Sequence, residues 1–399
     1  MLAPPQRSER QRYASLDFWR GMACLSVVIF HSTLYVATPE FERKLLHDGG
    51  GFSDYLVEAT SRLWIGVPVF FVISGYCIAT IADKSRDKHF SITEYFRRRF
   101  RRIYPPYWCC FLAVAGVIAV VEWISPGFLN DDNHPMTPPG QLRWQQWAGN
   151  LTLTEPWRTY VFGGPGVEMT LLGVMWTLCY EEQFYFIVGF ALTLSRKYFF
   201  HVMALISVLV YWNTWEFHPR SFNIYKLTTA MTALQNRLDG TFVDGHWLDF
   251  AVGIGVYYWI NRARVRWRIA FPMVVILAAI PVMFPLGRLT EFYSSGQQQR
   301  LIAVGFGLLL ITLHGLDQTL SVSRWARPIS RCGVMCYSIY LVHLPVTKSL
   351  SKILYGLGLR GSLETLLITV PICMVASLVI ARVFFNRVEA RFLNRAMAA

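Results

Sequence analysis

An arginine and a histidine lie within the first long apolar stretch of the chain, LDFWRGMACLSVVIFHSTLYV, which begins at Leu16 and ends at Val36. Arg20 and His31 are eleven residues apart. Because a helix turns about 100° per residue, the two side chains share one face and lie about 16 Å apart. A guanidinium suits an anionic ligand, and an imidazole suits proton transfer at neutral pH. Because a charge inside a bilayer is costly, the pair predicts two functional groups at two depths of one helix, with a partner or a water-filled cavity facing them.

Two adjacent carboxylates lie in a later apolar stretch, WTLCYEEQFYF, at Glu181 and Glu182. Adjacent helix residues point about 100° apart, so the two carboxylates do not share one partner. We expect one of them to face a polar interior, where it pairs with Arg20 or orients His31, and the other to reach water at the interface. Polar side chains of the apolar stretches that are candidates for contacting substrate are Asp17, Ser74, Glu182, Tyr185, Tyr340 and His343.

Five arginines precede the third apolar stretch in the run ITEYFRRRFRRIYPPYW, namely Arg97, Arg98, Arg99, Arg101 and Arg102. Two interpretations carry equal weight. The arginines set the membrane topology and meet anionic lipid headgroups. Alternatively, they bind a phosphate-rich ligand, since planar guanidinium groups make bidentate contacts with phosphate.

The composition indicates a membrane protein with several spans. Of 399 residues, 54% are hydrophobic and only 16% are charged. In soluble domains about a quarter of all residues are usually charged. The first apolar block is too long for a signal peptide core, and we expect no signal peptide. Candidate spans, about ten in all, are 16–37, 62–82, 104–124, 172–194, 198–215, 247–261, 268–287, 300–316, 332–351 and 363–386. The fold class expected is an all-α polytopic integral membrane protein.

The net charge of +13 follows from topology rather than from nucleic-acid binding. When odd-numbered spans leave the cytoplasm, most Lys and Arg lie on the cytoplasmic side, as the positive-inside rule requires. Both termini are then cytoplasmic. The expected organisation is a cytoplasmic tail at 1–14, a transmembrane domain at 15–387 and a cytoplasmic tail at 388–399.

All eight cysteines fall in or at the ends of the predicted spans. Cys332 and Cys336 are one turn apart, but no second pair of His or Cys stands nearby to complete a zinc site. We therefore expect no metal site and interpret the cysteines as small buried apolar residues.

Five segments, taken in order, resemble the membrane acyltransferase-3 family of O-acyltransferases that modify bacterial surface polysaccharides. They are LDFWRGMA with the following FH, VPVFFVISGY, RRIYPPYW, WTLCYEEQFY and YSIYLVH. Arg20 and His31 match the family's R-x10-H signature. Departures from the family's pattern are Pro68, where the family often has an acidic residue, and Tyr76, Thr177 and Tyr180. None of them removes an ionisable group that we propose as catalytic. About a dozen residues follow the last span, which suggests the type without an appended esterase-like domain.

The resemblance implies that acyl-CoA, most simply acetyl-CoA, binds from the cytoplasm as a co-substrate, with no permanently bound cofactor. It also implies an acceptor hydroxyl on a glycan or lipid-linked sugar at the outer side of a bacterial inner membrane. In these terms the arginines from Arg97 to Arg102 bind the nucleotide phosphates, Arg20 positions the donor, His31 is the base or a transient acyl carrier, and Glu181 orients or balances charge. Membrane lipid and proteins of polysaccharide biosynthesis or export are the expected partners.

Two other functions remain open from the sequence. A proton-coupled transporter also uses intramembrane Arg, His and Glu, although the chain lacks the internal repeats that transporters often have. A catalytically silent relative that scaffolds a polysaccharide-export complex is the third interpretation.

Overall fold

The computed structural model describes residues 13–85, 91–128, 138–162, 170–216, 240–262 and 295–393, and the regular elements in these ranges are all helical. The helices are α1 (Leu16–Ser32), α2 (Pro39–Asp48), α3 (Phe52–Ser61), α4 (Gly66–Ser85), α5 (Ile92–Ile124), α6 (Trp144–Thr152), α7 (Glu155–Phe162), α8 (Met175–Leu194), α9 (Phe199–Glu216), α10 (His246–Arg262), α11 (Ser295–Thr312), α12 (Asp317–Val322), α13 (Arg327–Val334), α14 (Cys336–Gly356) and α15 (Val370–Arg387). Short 3-10 turns connect several of them, and a π-helical stretch, Thr365–Thr369, leads into α15.

Within the described residues, four helical stretches are long and apolar enough to cross a membrane: Phe52–Ser85, Ile92–Ile124, Gln298–Val322 and Ser362–Arg391. A fifth arises if α13 and α14, which meet at an angle of 83°, form one broken span. These stretches confirm the prediction of an all-helical membrane protein. The predicted span at 268–287 lies outside the described residues, and the number of ten spans and the cytoplasmic termini stay predictions.

Helix α1 contacts α4, α13, α14 and α15. It ends at Ser32, five residues before the predicted end of the span, because the backbone turns there, with the Thr33 amide donating to the Phe30 carbonyl. Arg20 and His31 both lie inside this helix. The prediction that one helix carries both residues is therefore confirmed.

Helices α4 and α10 make a close contact through two glycines. A Cβ at Gly253 would lie 1.9 Å from the carbonyl oxygen of Val72, and one at Gly75 would lie 2.0 Å from that of Phe250. Small residues let helix backbones approach closely in membranes. The close approach holds α4, which carries Ser74 and Cys77, in a defined position beside α1.

Helix α5 is 33 residues long and joins the basic run to an apolar span without interruption. The Ser91 hydroxyl accepts from the Glu94 amide at its start, a typical N-cap. Further along, the Tyr107 hydroxyl donates to the Asn150 carbonyl and the Trp108 indole donates to the Leu151 carbonyl. These bonds to α6 set the rotation of α5 and so decide which of its arginines face the bundle.

Buried carboxylates tie the helix ends together. Asp83 accepts from the Tyr257 hydroxyl at 2.8 Å and pairs with Arg262, which links α4 to α10. Asp317 accepts from the backbone amide of Ser15 at 2.8 Å, which links the start of α1 to α12. Burying a charge is costly unless it is paired and hydrogen-bonded, so these contacts restrict how the helices are arranged.

Candidate active site

A cavity of about 420 Å³ lies where α1, α4, α5, α8 and α14 face one another. Residues predicted from the sequence to bind or catalyse that line it are Arg20, His31, Ser74, Arg99, Arg102, Glu181, Tyr185, Tyr340 and His343. Predicted residues that are not part of its lining are Asp17, Arg97, Arg98, Arg101 and Glu182. The cavity thus collects side chains from five separate regions of the sequence.

One end of the cavity, which we call the arginine end, is built around Arg20. Its guanidinium donates to the Asp17 carboxylate at 2.9 Å and to the Cys77 thiol at 3.0 Å. Only 12% of the Arg20 side chain is exposed. Asp17, one turn earlier on α1, therefore orients the guanidinium from outside the cavity, and Arg20 presents a fixed positive charge to whatever enters.

The arginines of α5 divide into two faces. Arg99 and Arg102, three residues apart on the helix, turn inward and line the arginine end of the cavity. Arg97 and Arg98 instead pair with Glu94, with 73% and 61% of their side chains exposed. Arg101 is exposed and donates to the backbone carbonyl of Arg391. The geometry brings two of the five predicted phosphate ligands to the cavity.

Arg99 also stacks on an aromatic ring. Its guanidinium carbon lies 4.7 Å from the centre of the Tyr185 ring and 5.8 Å from that of Tyr95. A cation over an aromatic face is attracted by the ring quadrupole. The stacking places the guanidinium plane against α8 and orients it toward the cavity.

The middle of the cavity holds a carboxylate at Glu181. Its Oε1 accepts from the Ser74 hydroxyl at 2.9 Å and from the Tyr185 hydroxyl. From the sequence, we expected this carboxylate to pair with Arg20 or to orient His31. The hydrogen bonds to Glu181 come instead from Ser74, because α4 packs beside α8, and from Tyr185, one turn later on α8 itself. Of the two adjacent glutamates, Glu181 faces the cavity.

The other end of the cavity, the histidine end, contains two imidazole rings. The ring centroids of His31 on α1 and His343 on α14 lie 5.2 Å apart with a tilt of 47°. The residue His343 is 1% exposed. Two imidazoles side by side can bind and pass a proton.

Tyr340 lies beside the histidine end, one turn before His343 on α14. Its hydroxyl lies 2.6 Å from the Thr177 hydroxyl and also donates to the Val174 carbonyl. Its ring centroid is 6.2 Å from that of His343. Tyr340 therefore joins α8 to α14 and forms part of the wall next to the imidazoles.

Three thiols and an amide in the cavity wall were not predicted from the sequence as site residues. Cys24, Cys77, Cys336 and Gln299 all line the cavity, whereas we interpreted the cysteines only as buried apolar residues. One signal was available, since Cys24 lies one turn after Arg20 on the same helix face. Cys77 and Cys336 come from other helices, so their place beside Arg20 depends on the tertiary packing.

The part of the chain that the structure describes contains no evident set of metal ligands. No group of three or more His, Cys, Asp or Glu is arranged there to hold an ion. The two histidines of the cavity stand with a tyrosine and a threonine rather than with carboxylates.

Comparisons with known proteins identify the family. The model of the acyltransferase-3 family, described as an acyltransferase domain, matches residues 13–385. Acyltransferase MdmB of Streptomyces mycarofaciens is 32% identical over 188 residues, which is 47% of this chain and 41% of MdmB. Peptidoglycan O-acetyltransferase OatA of Listeria monocytogenes is 25% identical over 210 residues, 51% of this chain and 28% of OatA. The chain thus matches less than half of the length of either relative.

A longer match covers most of a third relative. The protein named as membrane-bound transacylase BcsY of Komagataeibacter xylinus is 26% identical over 347 residues, 84% of this chain and 73% of BcsY. No solved structure matches the chain. Because the family model spans the region that contributes every helix of the cavity, the chain belongs to the acyltransferase-3 family.

Proposed function

We propose that this protein transfers an acyl group, most simply acetyl, from acyl-CoA to a hydroxyl group of a glycan or lipid-linked sugar. The observation that carries the proposal is a single cavity with guanidinium groups at one end and imidazoles at the other. The two ends are separated by about 16 Å along α1, as the helical rise predicts. That separation is on the order of the length of an extended pantetheine arm.

The arginine end suits the phosphates of the donor. Arg20, Arg99 and Arg102 line it and come from two helices, so their positive charges converge on one region. Planar guanidinium groups bind phosphate oxygens through paired, charge-assisted hydrogen bonds. The pantetheine arm then runs past Ser74 and Glu181, and its thioester reaches the histidine end.

The chemistry at the histidine end is general base catalysis by His31. A bare imidazole nitrogen of His31 takes the proton of the acceptor hydroxyl as its oxygen attacks the thioester carbonyl. The carbon–sulfur bond then breaks, and the CoA thiolate takes the proton back from the imidazolium. A transient acyl-imidazole on His31, resolved by the same hydroxyl, is the covalent variant of this reaction. Glu181 balances the charge of the arginines in the middle of the path.

The proposed setting is a bacterial inner membrane with donor in the cytoplasm and acceptor outside, in a single transmembrane domain at 15–387. The peptidoglycan O-acetyltransferase OatA is named for a glycan acceptor, and a glycan acceptor for this chain extends that likeness. Proteins of polysaccharide biosynthesis or export are the partners that such an acceptor implies.

The test uses purified protein in lipid nanodiscs with radiolabelled acetyl-CoA and a mixture of glycan acceptors. We expect label to move to the glycan, and we expect His31→Gln to lower that rate by about 10²- to 10⁴-fold, the usual contribution of a general base. His47→Gln is the matched control, because 88% of the His47 side chain is exposed. Unchanged transfer in His31→Gln would exclude the base, and no binding of CoA by the parent protein would exclude the donor.

A further inference from the structure

The tautomer of His343 follows from its surroundings. Its Nδ1 lies 3.0 Å from the carbonyl oxygen of Ile339 and 2.8 Å from that of Tyr340. A carbonyl oxygen only accepts, so Nδ1 carries the hydrogen in both contacts. In the neutral ring Nε2 is therefore a bare acceptor. None of the described residues donates a hydrogen bond to this buried Nε2.

A buried acceptor without a donor is costly, and the ring of His31 lies in the right place to supply one. The two ring centroids are 5.2 Å apart. An in-line N–H···N bond of about 2.9 Å between two imidazoles places their centroids about 5 Å apart. The observed separation thus suits one such bond between a ring N–H of His31 and Nε2 of His343.

We propose that His343 is a positioning residue, whose Nε2 accepts a hydrogen bond from a ring N–H of His31 when the two tilted rings turn into line during the reaction. This bond holds His31 in the tautomer whose other nitrogen is bare and points to the acceptor hydroxyl. A buried carboxylate holds the catalytic histidine in the same way in Ser-His-Asp hydrolases. The inference rests on the proposed function, in which His31 is the base.

The carboxylate of the cavity does not fill this role. Glu181 is engaged by the hydroxyls of Ser74 and Tyr185, and it lies in the middle of the cavity rather than at its histidine end. His343 is in ring contact with His31 and is itself held by two backbone carbonyls of its own helix. Since those carbonyls keep the hydrogen on Nδ1, His343 stays an acceptor toward His31 throughout the reaction.

Two substitutions separate positioning from packing. His343→Phe keeps the ring but removes the acceptor, whereas His343→Gln keeps an acceptor oxygen. We expect His343→Phe to lower kcat by about 10²- to 10⁴-fold, as a wrong tautomer does in hydrolases, with KM for acetyl-CoA unchanged. We expect His343→Gln to stay within about tenfold of the parent, because one neutral hydrogen bond replaces another. His314→Phe is the matched control, since His314 is not part of the cavity lining.

A second readout does not need activity. Protein labelled with ¹⁵N-histidine in nanodiscs gives nitrogen shifts that report which ring nitrogen carries hydrogen, and the signals of His31 are those lost in His31→Gln. We expect a single tautomer of His31 in the parent and in His343→Gln, and a mixture of tautomers in His343→Phe. An unchanged tautomer in His343→Phe would overturn the inference, even if its kcat falls. If the parent transfers no acyl group, the proposed function fails, while the tautomer comparison still decides whether the bond exists.

Discussion

Because neighbouring arginines lie on opposite faces of α5, we predict opposite effects of their substitution on donor binding. Arg99 lines the arginine end of the cavity, whereas Arg98 lies on the outer face, 61% exposed, and pairs with Glu94. Both are arginines of one helix, one residue apart. Replacing each by glutamine removes the same charge and hydrogen-bond donors, so any difference in donor binding reports the direction in which the side chain points.

The magnitudes follow from the two environments. A hydrogen bond from a buried guanidinium to a phosphate is worth about 1.5–3 kcal/mol, which corresponds to about a 10- to 150-fold rise in Kd. Arg98 does not line the cavity, and its exposed ion pair with Glu94 contributes only about 0.3–0.5 kcal/mol to the helix, so we expect its loss to change Kd for the donor by about twofold or less. We therefore expect Arg99→Gln to weaken donor binding at least five times more than Arg98→Gln does.

Arg99→Lys tests the second property of this residue, its stacking on Tyr185 at 4.7 Å. Lysine keeps the charge but has neither the planar fork nor the flat face of a guanidinium. We expect a Kd between those of the parent and Arg99→Gln. Because Tyr185 donates to Glu181, a loosened Tyr185 would also disturb the middle of the cavity and lower kcat.

The assay is calorimetric titration of nanodisc-embedded protein with a CoA thioether that cannot transfer its acyl group, at low and high salt. The Debye length shortens with ionic strength, so salt should weaken binding to the parent more than to Arg99→Gln. Equal changes of Kd in Arg98→Gln and Arg99→Gln would refute the assignment of inward and outward faces. Unchanged Kd in both would place the donor elsewhere.

Two further outcomes test the cavity wall and the helix packing. A maleimide should modify Cys77, and a saturating CoA thioether should slow that modification at least tenfold. Cys77 lies beside Arg20 in the cavity, and a bound ligand excludes the reagent by mass action. Equal rates with and without the ligand, measured by peptide mass spectrometry, would show that Cys77 is not on the donor path. Gly253→Ala should lower the thermal unfolding midpoint, because its Cβ would lie 1.9 Å from the Val72 carbonyl oxygen. The control Gly255→Ala, whose Cβ meets nothing within 4 Å, should leave the midpoint unchanged or raise it. Equal midpoints for the two variants would contradict the close approach of α4 and α10.

Much of one helix was predictable from the sequence. Apolar length and the spacing of Arg20 and His31 predicted one helix with both side chains on one face, and α1 contains both. That prediction succeeds because it depends only on helical geometry within a single segment. The pairing of Asp17 with Arg20 is also local, because residues three apart on a helix are neighbours, but we had predicted Asp17 as a substrate contact.

Contacts between segments were not predictable in the same way. Ser74 and Glu181 are 107 positions apart, and Arg20 and Cys77 are 57 apart. Which residues of α4 face α1 and α8 depends on the close packing at Gly75 and Gly253, and no local spacing encodes it. For the same reason the five arginines of α5 read as one cluster in the sequence, although the bonds from α5 to α6 turn only two of them inward.

The packing also explains how separate helices supply groups at matching depths. Helix α4 brings Cys77 level with Arg20 and Ser74 level with Glu181, and because Ser74 precedes Cys77 by one turn, the carboxylate lies about 4.5 Å beyond the guanidinium along α4. Helix α14 brings Cys336 close to Cys24 and, seven residues later, His343 to His31. Since Cys24 and His31 are also seven residues apart, α1 and α14 stay in register over about two turns. The separation between donor binding and proton transfer is therefore set by two helices at once, and a shift of either one alone would break the contact of the histidines.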